Sequence, residues 1–591
     1  MTHSNSIKNS KLKGIHASSG ISFGRAFIMT NEELEIPKIT INKVVLQNEI
    51  NRFEGILDKT RSEIISLRND VAKNLGESEA EIFDAHLLVL EDQALISETI
   101  KEVKDTLFNI EFCFHKVCQR YIDFFSSMED EYLRERVVDI KDVSRRVLSN
   151  LMGQVRSELC KWLKNRILVA QDLVPSMALE LQKSNVLAFV TELGTSTSHS
   201  SIMARTMEIP AVVGCVGVTQ KVHLDDYIIV DADEGMVIVN PSENTLSEYR
   251  EIQKKRNIIQ QRFDSSVGQP LKTLDGKRLH LMSNVESVED ISRVNKVNAD
   301  GIGLYRTETL FLKHRTFPSE ETQFNEYRKV VECLEEGAVI IRTLDLGGDK
   351  TLDGNKSFHD EINPFLGFRA IRFCLKNQPI FKEQLRAILR ASAYGKIKLM
   401  YPMISGVDEL IKTNKLLDEI KKELLSESIP FDEKIPIGVM VEIPSLVFSI
   451  DILAPHCDFF SIGSNDLIQY LFAIDRGNEM VADLYQPTHP SLLRVLKQII
   501  DSAKKHHKEI GICGEIGGDP LFSSLLFGMG IDYLSMSSSR LSEVRYLVQH
   551  LLLEDAKKLS ETVLKMNDAR EIMDCLKTFY SKKMGKVFEN S

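Results

Sequence analysis

The sequence contains no CxxC pair. Its nine cysteines, at positions 113, 118, 160, 215, 333, 374, 457, 513 and 575, are scattered and odd in number. Such spacing argues against a structural zinc site and a disulfide framework, and it fits a reducing compartment. No apolar run reaches the roughly 18 residues that a membrane-spanning helix requires. The opening segment, MTHSNSIKNSKLKG, is polar and lacks the apolar stretch of a secretory signal. Residues 1–13 therefore read as a disordered lead-in, and the chain as cytoplasmic. Positive charge is not in excess either: 74 Lys and Arg face 85 Asp and Glu, a formal charge of −11. An acidic chain repels phosphate backbones, which argues against general nucleic-acid binding. No GxxxxGK[ST] loop and no kinase signature occurs.

What remains is ordinary soluble-protein composition on a large scale. The 591 residues are 43% hydrophobic and 27% charged, enough for several domains that each bury a core without staples. Proline is absent from 42 to 153, where charged residues alternate with apolar ones at helical spacing. Within that stretch Ile82, Phe83, His86, Leu87 and Leu90 share one helical stripe, and Tyr132, Leu133, Val137, Ile140, Val143 and Val147 share another. A helical segment is thus inserted after a short β start at 15–29. Strand texture resumes at 166–173, 186–193, 211–217 and 227–240. The charged run at 246–264 reads as a linker helix.

The C-terminal half carries eight strand-like runs with helical segments between them, at 278–284, 301–306, 338–345, 398–403, 437–442, 459–464, 509–515 and 531–537. Eight such runs over this length predict a (β/α)8 barrel, and a doubly wound open sheet gives the same alternation. In a barrel the strand ends would collect Arg306, Arg342, Glu442, Asn465, Asp466, Cys513 and Glu515 on one face, with Arg476 shortly beyond. Guanidinium forks match carboxylate and phosphate oxygens. Two carboxylates, Glu442 and Asp466, suit Mg²⁺. The alternative is ordinary ion pairing among these groups. Cys513 reads either as a buried small hydrophobe or, among arginines and a metal, as a proton donor. His199 lies where Thr197 or Ser198 can cap a helix, a setting for a phosphate on the imidazole or simply a capped turn.

Together these segments resemble Enzyme I, the phosphoenolpyruvate–protein phosphotransferase family of the bacterial sugar phosphotransferase system. The matching segments include GIHASSGISFGRA (14–26), TSHSSIMAR (197–205), GLYRTE (303–308), IIRTLDLGGDK (340–350), NPFLGFRAIR (363–372), GVMVEIPS (438–445), FFSIGSNDLIQY (459–470), DRGN (475–478) and GICGE (511–515). The resemblance implies a multidomain α/β chain. Residues 14–41 and 154–243 would form a phosphohistidine α/β domain, and 42–153 a helical bundle that binds the carrier HPr. Residues 244–270 would be the linker, and 271–591 a phosphoenolpyruvate-binding TIM-like barrel. It further implies that His199 is phosphorylated by phosphoenolpyruvate and passes the group to HPr, releasing pyruvate. Arg306, Arg342, Arg476, Asn465 and Asp466 would bind substrate, Arg369 would add an anion contact, and Glu442 and Asp466 would hold Mg²⁺. Cys513 would protonate the enolate. Phe83, His86, Leu87, Tyr132 and Arg134 become candidate HPr contacts, with helix packing the other reading. A homodimer through the barrel is expected.

Two departures stand out. The histidine motif of the family has a second glycine and an arginine where this chain has Thr195 and Ser196, and Ile362 replaces a glutamate. The second reading is accordingly a regulatory protein that senses phosphoenolpyruvate and transfers weakly.

Overall fold

The computed structural model describes all residues outside 1–8, 30–35, 75–76, 127–130, 154–162, 174–176, 178–180, 182–183, 195–198, 208, 313–316, 348–362, 476–480, 482–483 and 590–591. It divides into two units, Met1–Gln253 and Lys254–Ser591.

The first unit is built on an eight-stranded sheet: β1 (Ser10–Lys13), β2 (Ile15–Ser18), β3 (Ile21–Met29), β4 (Arg166–Ala170), β5 (Ala188–Thr191), β6 (Ala211–Val213), β7 (Tyr227–Asp231) and β8 (Met236–Val239). The strand order is β1-β8-β7-β3-β4-β5-β6-β2. From β3 to β6 neighbours are parallel, and the flanks are antiparallel. The β5 residues AFVT are all buried, as expected of a parallel strand covered on both faces. Ser10–Lys13 fall in the segment that composition assigned to a disordered lead-in, yet they form an edge strand. Their antiparallel ladder on Met236–Val239 and the burial of Leu12 provide what local sequence does not show.

Five helices follow β3: α1 (Leu46–Asn74), α2 (Glu77–Leu90), α3 (Gln93–Thr106), α4 (Ile110–Ser126) and α5 (Glu131–Leu151). Their inward faces make a core that includes Phe53, Phe83, Leu90, Phe114, Val143 and Val147. Phe83 and His86 are each only 1% exposed. For these two, helix packing is what the stripe encodes, and neither forms a docking surface. Leu87 packs half-buried against the same core. The side chains of Tyr132 and Arg134 lie outside the described residues. Further on, α6 (His199–Met207) begins at the candidate phosphohistidine itself. A charged helix, α7 (Glu243–Ser265), contains the boundary between the units.

The second unit is a closed barrel of parallel strands. They are β9 (His280–Val285), β10 (Gly301–Arg306), β11 (Ala338–Arg342), β12 (Ile397–Tyr401), β13 (Ile437–Val441), β14 (Phe459–Ile462), β15 (Glu509–Ile512) and β16 (Tyr533–Met536). Each falls within or overlaps one of the eight predicted runs. Pairing of β16 with β9 closes the cylinder and decides against an open sheet. Its interior is filled by Met282, Leu304, Ile340, Met400, Met440, Phe459, Cys513 and Tyr533. The largest of these needs room from its neighbour: a Cβ on Gly511 would lie 2.1 Å from the Tyr533 ring. Gly511→Ala is therefore expected to destabilise the barrel by about 1–3 kcal/mol through overpacking. Denaturant unfolding monitored by far-ultraviolet circular dichroism checks this.

Candidate active site

Parallel strands deliver their C-terminal residues to one rim of the barrel, and the rim here surrounds a cleft of about 360 Å³. Arg306 and Arg342 end β10 and β11, and Glu442 directly follows β13. Asn465 and Asp466 open α8 (Ser464–Phe472), the helix after β14. Cys513 follows β15. All of these, with Arg369, line the same cleft. A close approach brings the last two segments together: a Cβ on Gly514 would lie 1.9 Å from the Ser464 Oγ. Glycine at 514 thus lets the turn after β15 sit against the start of α8, setting Cys513 beside the polar end of the cleft.

The two buried arginines are held by carboxylates that strand-end logic did not single out. Arg342 Nη2 donates to Glu308 Oε1 at 2.8 Å, and Nη1 lies 3.1 Å from Asp345 Oδ2. Arg369 donates to Asp345 Oδ1 from Nη2 at 2.8 Å and from Nε at 3.2 Å, and its Nη1 reaches the Tyr470 hydroxyl at 3.2 Å. Its Nη2 also lies 3.7 Å from Asp466 Oδ2. Asp345 therefore joins the two guanidinium groups. Burial opposes their charge, but the surrounding carboxylates outweigh it and hold both above the ordinary arginine value. Arg306 is more exposed and pairs with Glu286 at 2.5 Å. Glu308 and Asp345 do occur in the segments GLYRTE and IIRTLDLGGDK, but two or three residues past their strands.

Glu442 is 1% exposed and accepts a hydrogen bond from the Met403 amide at 2.6 Å. Burial, reinforced by Asp466 and Asp345 and opposed by Arg342 and Arg369, pushes its carboxyl up to about 8. Met403 holds that amide in place with a positive φ of 57°. Ala370, next to Arg369, has a φ of 51° and a ψ of −128°. Strained backbone of this kind concentrates at sites where surrounding structure over-determines a geometry. Burial also pushes the Cys513 thiol up, against the opposing effects of the Ser461 hydroxyl, Arg342 and Arg306. The thiol thus keeps its proton at neutral pH, which suits a donor. Asn465 is engaged by the neighbouring turn: its Oδ1 accepts from the Glu515 amide at 2.9 Å and its Nδ2 donates to Glu515 Oε1 at 3.1 Å.

Among the described residues, the lining holds six carboxylates and three guanidinium groups. Carboxylates gathered in this way would attract a divalent cation. Among the described residues no three His, Cys, Asp or Glu side chains form a metal cage. Two carboxylates completed by substrate oxygens are the usual arrangement for Mg²⁺, and Glu442 and Asp466 fit it. Arg476 lies outside the described residues, as does the side chain of His199.

The raised Glu442 carboxyl gives a pH dependence with a definite sign. The folded state holds this proton more tightly than the unfolded chain, so the contribution is complete below about pH 4.5 and lost as pH rises through about 8. Without divalent cation, the melting temperature is expected to fall across that window more steeply than in Glu442→Gln, by about 2–4 °C. Added Mg²⁺ should recover most of the loss for wild type only. Calorimetry at a series of pH values checks both.

Three family models match the chain. They are the PEP-utilising enzyme N-terminal domain at residues 13–136, the mobile domain at 163–235 and the PEP-binding domain at 260–553. Among relatives, the phosphoenolpyruvate-protein phosphotransferase of Listeria monocytogenes is 41% identical over 569 residues, covering 96% of this chain and 99% of its own. That of Priestia megaterium is 41% identical over 572 residues, and that of Haemophilus influenzae 39% over 571, with the same coverage.

Proposed function

Because the chain belongs to the phosphoenolpyruvate-protein phosphotransferase family, we propose that it transfers the phosphoryl group of phosphoenolpyruvate to His199 and then to a histidine of the carrier HPr, releasing pyruvate. The observation that carries this reading is the assembly of Arg306, Arg342, Arg369, Glu442, Asp466 and Cys513 around one cleft. It supplies anion contacts for a small phosphate-bearing acid and a protonated thiol for the enolate.

The chemistry follows from charge. Phosphoryl transfer is mostly positioning and neutralisation. Arg306, Arg342 and Arg369 receive phosphate and carboxylate oxygens, with Arg476 and Asn465 assigned to the same anion. A Mg²⁺ ion bound through Glu442 and Asp466 supplies the positive charge that offsets the acidic lining. As Nε2 of His199 takes the phosphorus, the bond from phosphorus to the enol oxygen breaks and enolate remains. Cys513 gives its proton to C3, completing pyruvate. His199 and the cleft belong to different units, so a change in their arrangement is part of the proposed turnover. A cytoplasmic homodimer formed through the barrel belongs to the same reading. Among the described residues no helix is long and apolar enough to cross a membrane.

The test is incubation with Mg²⁺ and phosphoenolpyruvate labelled in its phosphate, beside His199→Ala. Acid-labile, alkali-stable label on wild type only, with pyruvate released and the label passing to added HPr, is the expected result. Chelation of Mg²⁺ should abolish labelling. Absence of label with phosphoenolpyruvate still bound would overturn the reading in favour of a regulatory binding protein.

A further inference from the structure

Cys513 stands just past the end of β15, where the barrel ladder stops fixing the chain, yet its backbone is tied on both sides. Its N–H donates to the Ile462 carbonyl of β14 at 3.1 Å. Its own carbonyl accepts from Asn284 Nδ2, on β9, at 3.0 Å. Asn284 Oδ1 in turn accepts from Ser535 Oγ, on β16, at 2.6 Å. A carbonyl oxygen can only accept, so the Asn284 amide must turn its nitrogen toward Cys513 and its oxygen toward Ser535. The chain Ser535–Asn284–Cys513 therefore has one polarity. Room for it comes from β10, since a Cβ on Gly303 would lie 2.4 Å from the Ser535 Oγ.

With the backbone fixed, the direction of the thiol depends on a single side-chain torsion with three staggered positions. The Sγ lies 3.6 Å from the Ile462 carbonyl oxygen, which selects one of them. We propose that Asn284, oriented by Ser535, is a positioning residue that aims the Cys513 thiol at one face of the enolate and so fixes the stereochemistry of protonation at C3. This rests on the reading above in which Cys513 is the donor. In the step concerned, the S–H bond breaks as the C3–H bond forms. The enolate electron pair takes the proton, sulfur keeps the S–H pair, and solvent reprotonates the thiolate for the next turnover. Asn284 is not among the residues lining the cleft and acts through the Cys513 backbone.

The experiment turns over phosphoenolpyruvate carrying tritium at one defined C3 position in deuterated water, with Mg²⁺ and HPr, and assays the configuration of the chiral methyl group in pyruvate. Wild type is expected to give one configuration. Asn284→Ala should still label His199 but yield a near-equal mixture, because an unaimed thiol lets the enolate escape and be protonated by water on either face. Ser535→Ala, which leaves the amide in place but frees its orientation, should give an intermediate loss and serves if Asn284→Ala does not fold. A purely structural role would lower labelling and pyruvate together without scrambling the methyl group. One configuration in Asn284→Ala, or in Ser535→Ala where only that variant folds, would overturn the proposal. A racemic product from labelled wild type would do the same. Failure of wild type to label at all would instead count against the phosphotransferase reading.

Discussion

Asp345 is the carboxylate on which the cleft depends. It is 2% exposed and pairs with both Arg342 and Arg369. Burying either guanidinium at that depth without a carboxylate partner would be strongly unfavourable. With Glu308 on the other side of Arg342, the pair of cations is set rigidly at the rim before any ligand arrives. Among the described lining residues, carboxylates outnumber guanidinium groups. Among the described residues, the buried Oε2 of Glu308 and Nε of Arg342 have no hydrogen-bond partner. Buried polar groups left unpaired cost roughly 1–3 kcal/mol each, a cost consistent with a site shaped to receive a ligand.

The barrel serves this cluster by bringing distant segments to one rim. Arg306, Arg342, Glu442 and Cys513 come from four strands or strand ends spread over two hundred positions, yet parallel pairing carries all of them to the same side. The turn after β15 shows how finely the rim is set. Glycine at 514 admits Ser464, the Asn465 amide fixes Glu515 and the Asn284 amide fixes Cys513. Asn284 on β9 and Asn465 on α8 thus hold Cys513 and Glu515, the residues on either side of Gly514.

How much of this could be read from the sequence follows from the physics of each part. The barrel strands were legible because parallel strands are buried on both faces and appear as nearly continuous apolar runs. Closure was not, since it rests on β9 pairing with β16, some 250 positions apart. The edge strand Ser10–Lys13 escaped notice for the same reason: its order comes from β8, not from its own polar residues. Arg306, Arg342, Glu442 and Cys513 were found by the rule that barrel chemistry gathers at strand ends. Glu308 opens a short helix just past β10 and Asp345 follows the end of β11, so neither is a strand-end residue, and only the folded geometry reveals that they pair with the arginines. The stripe through Phe83 and His86 carried the opposite risk, because a helical apolar face looks alike whether it packs inward or docks a partner.

The central claim is that this chain moves a phosphoryl group reversibly between phosphoenolpyruvate and His199 without help from a carrier. The most direct measurement is isotope exchange: labelled pyruvate is mixed with unlabelled phosphoenolpyruvate, Mg²⁺ and the protein alone, and label is followed into phosphoenolpyruvate. The account predicts exchange in wild type and none in His199→Ala. Exchange that persists in His199→Ala, or its absence from wild type that binds both ligands, would contradict it.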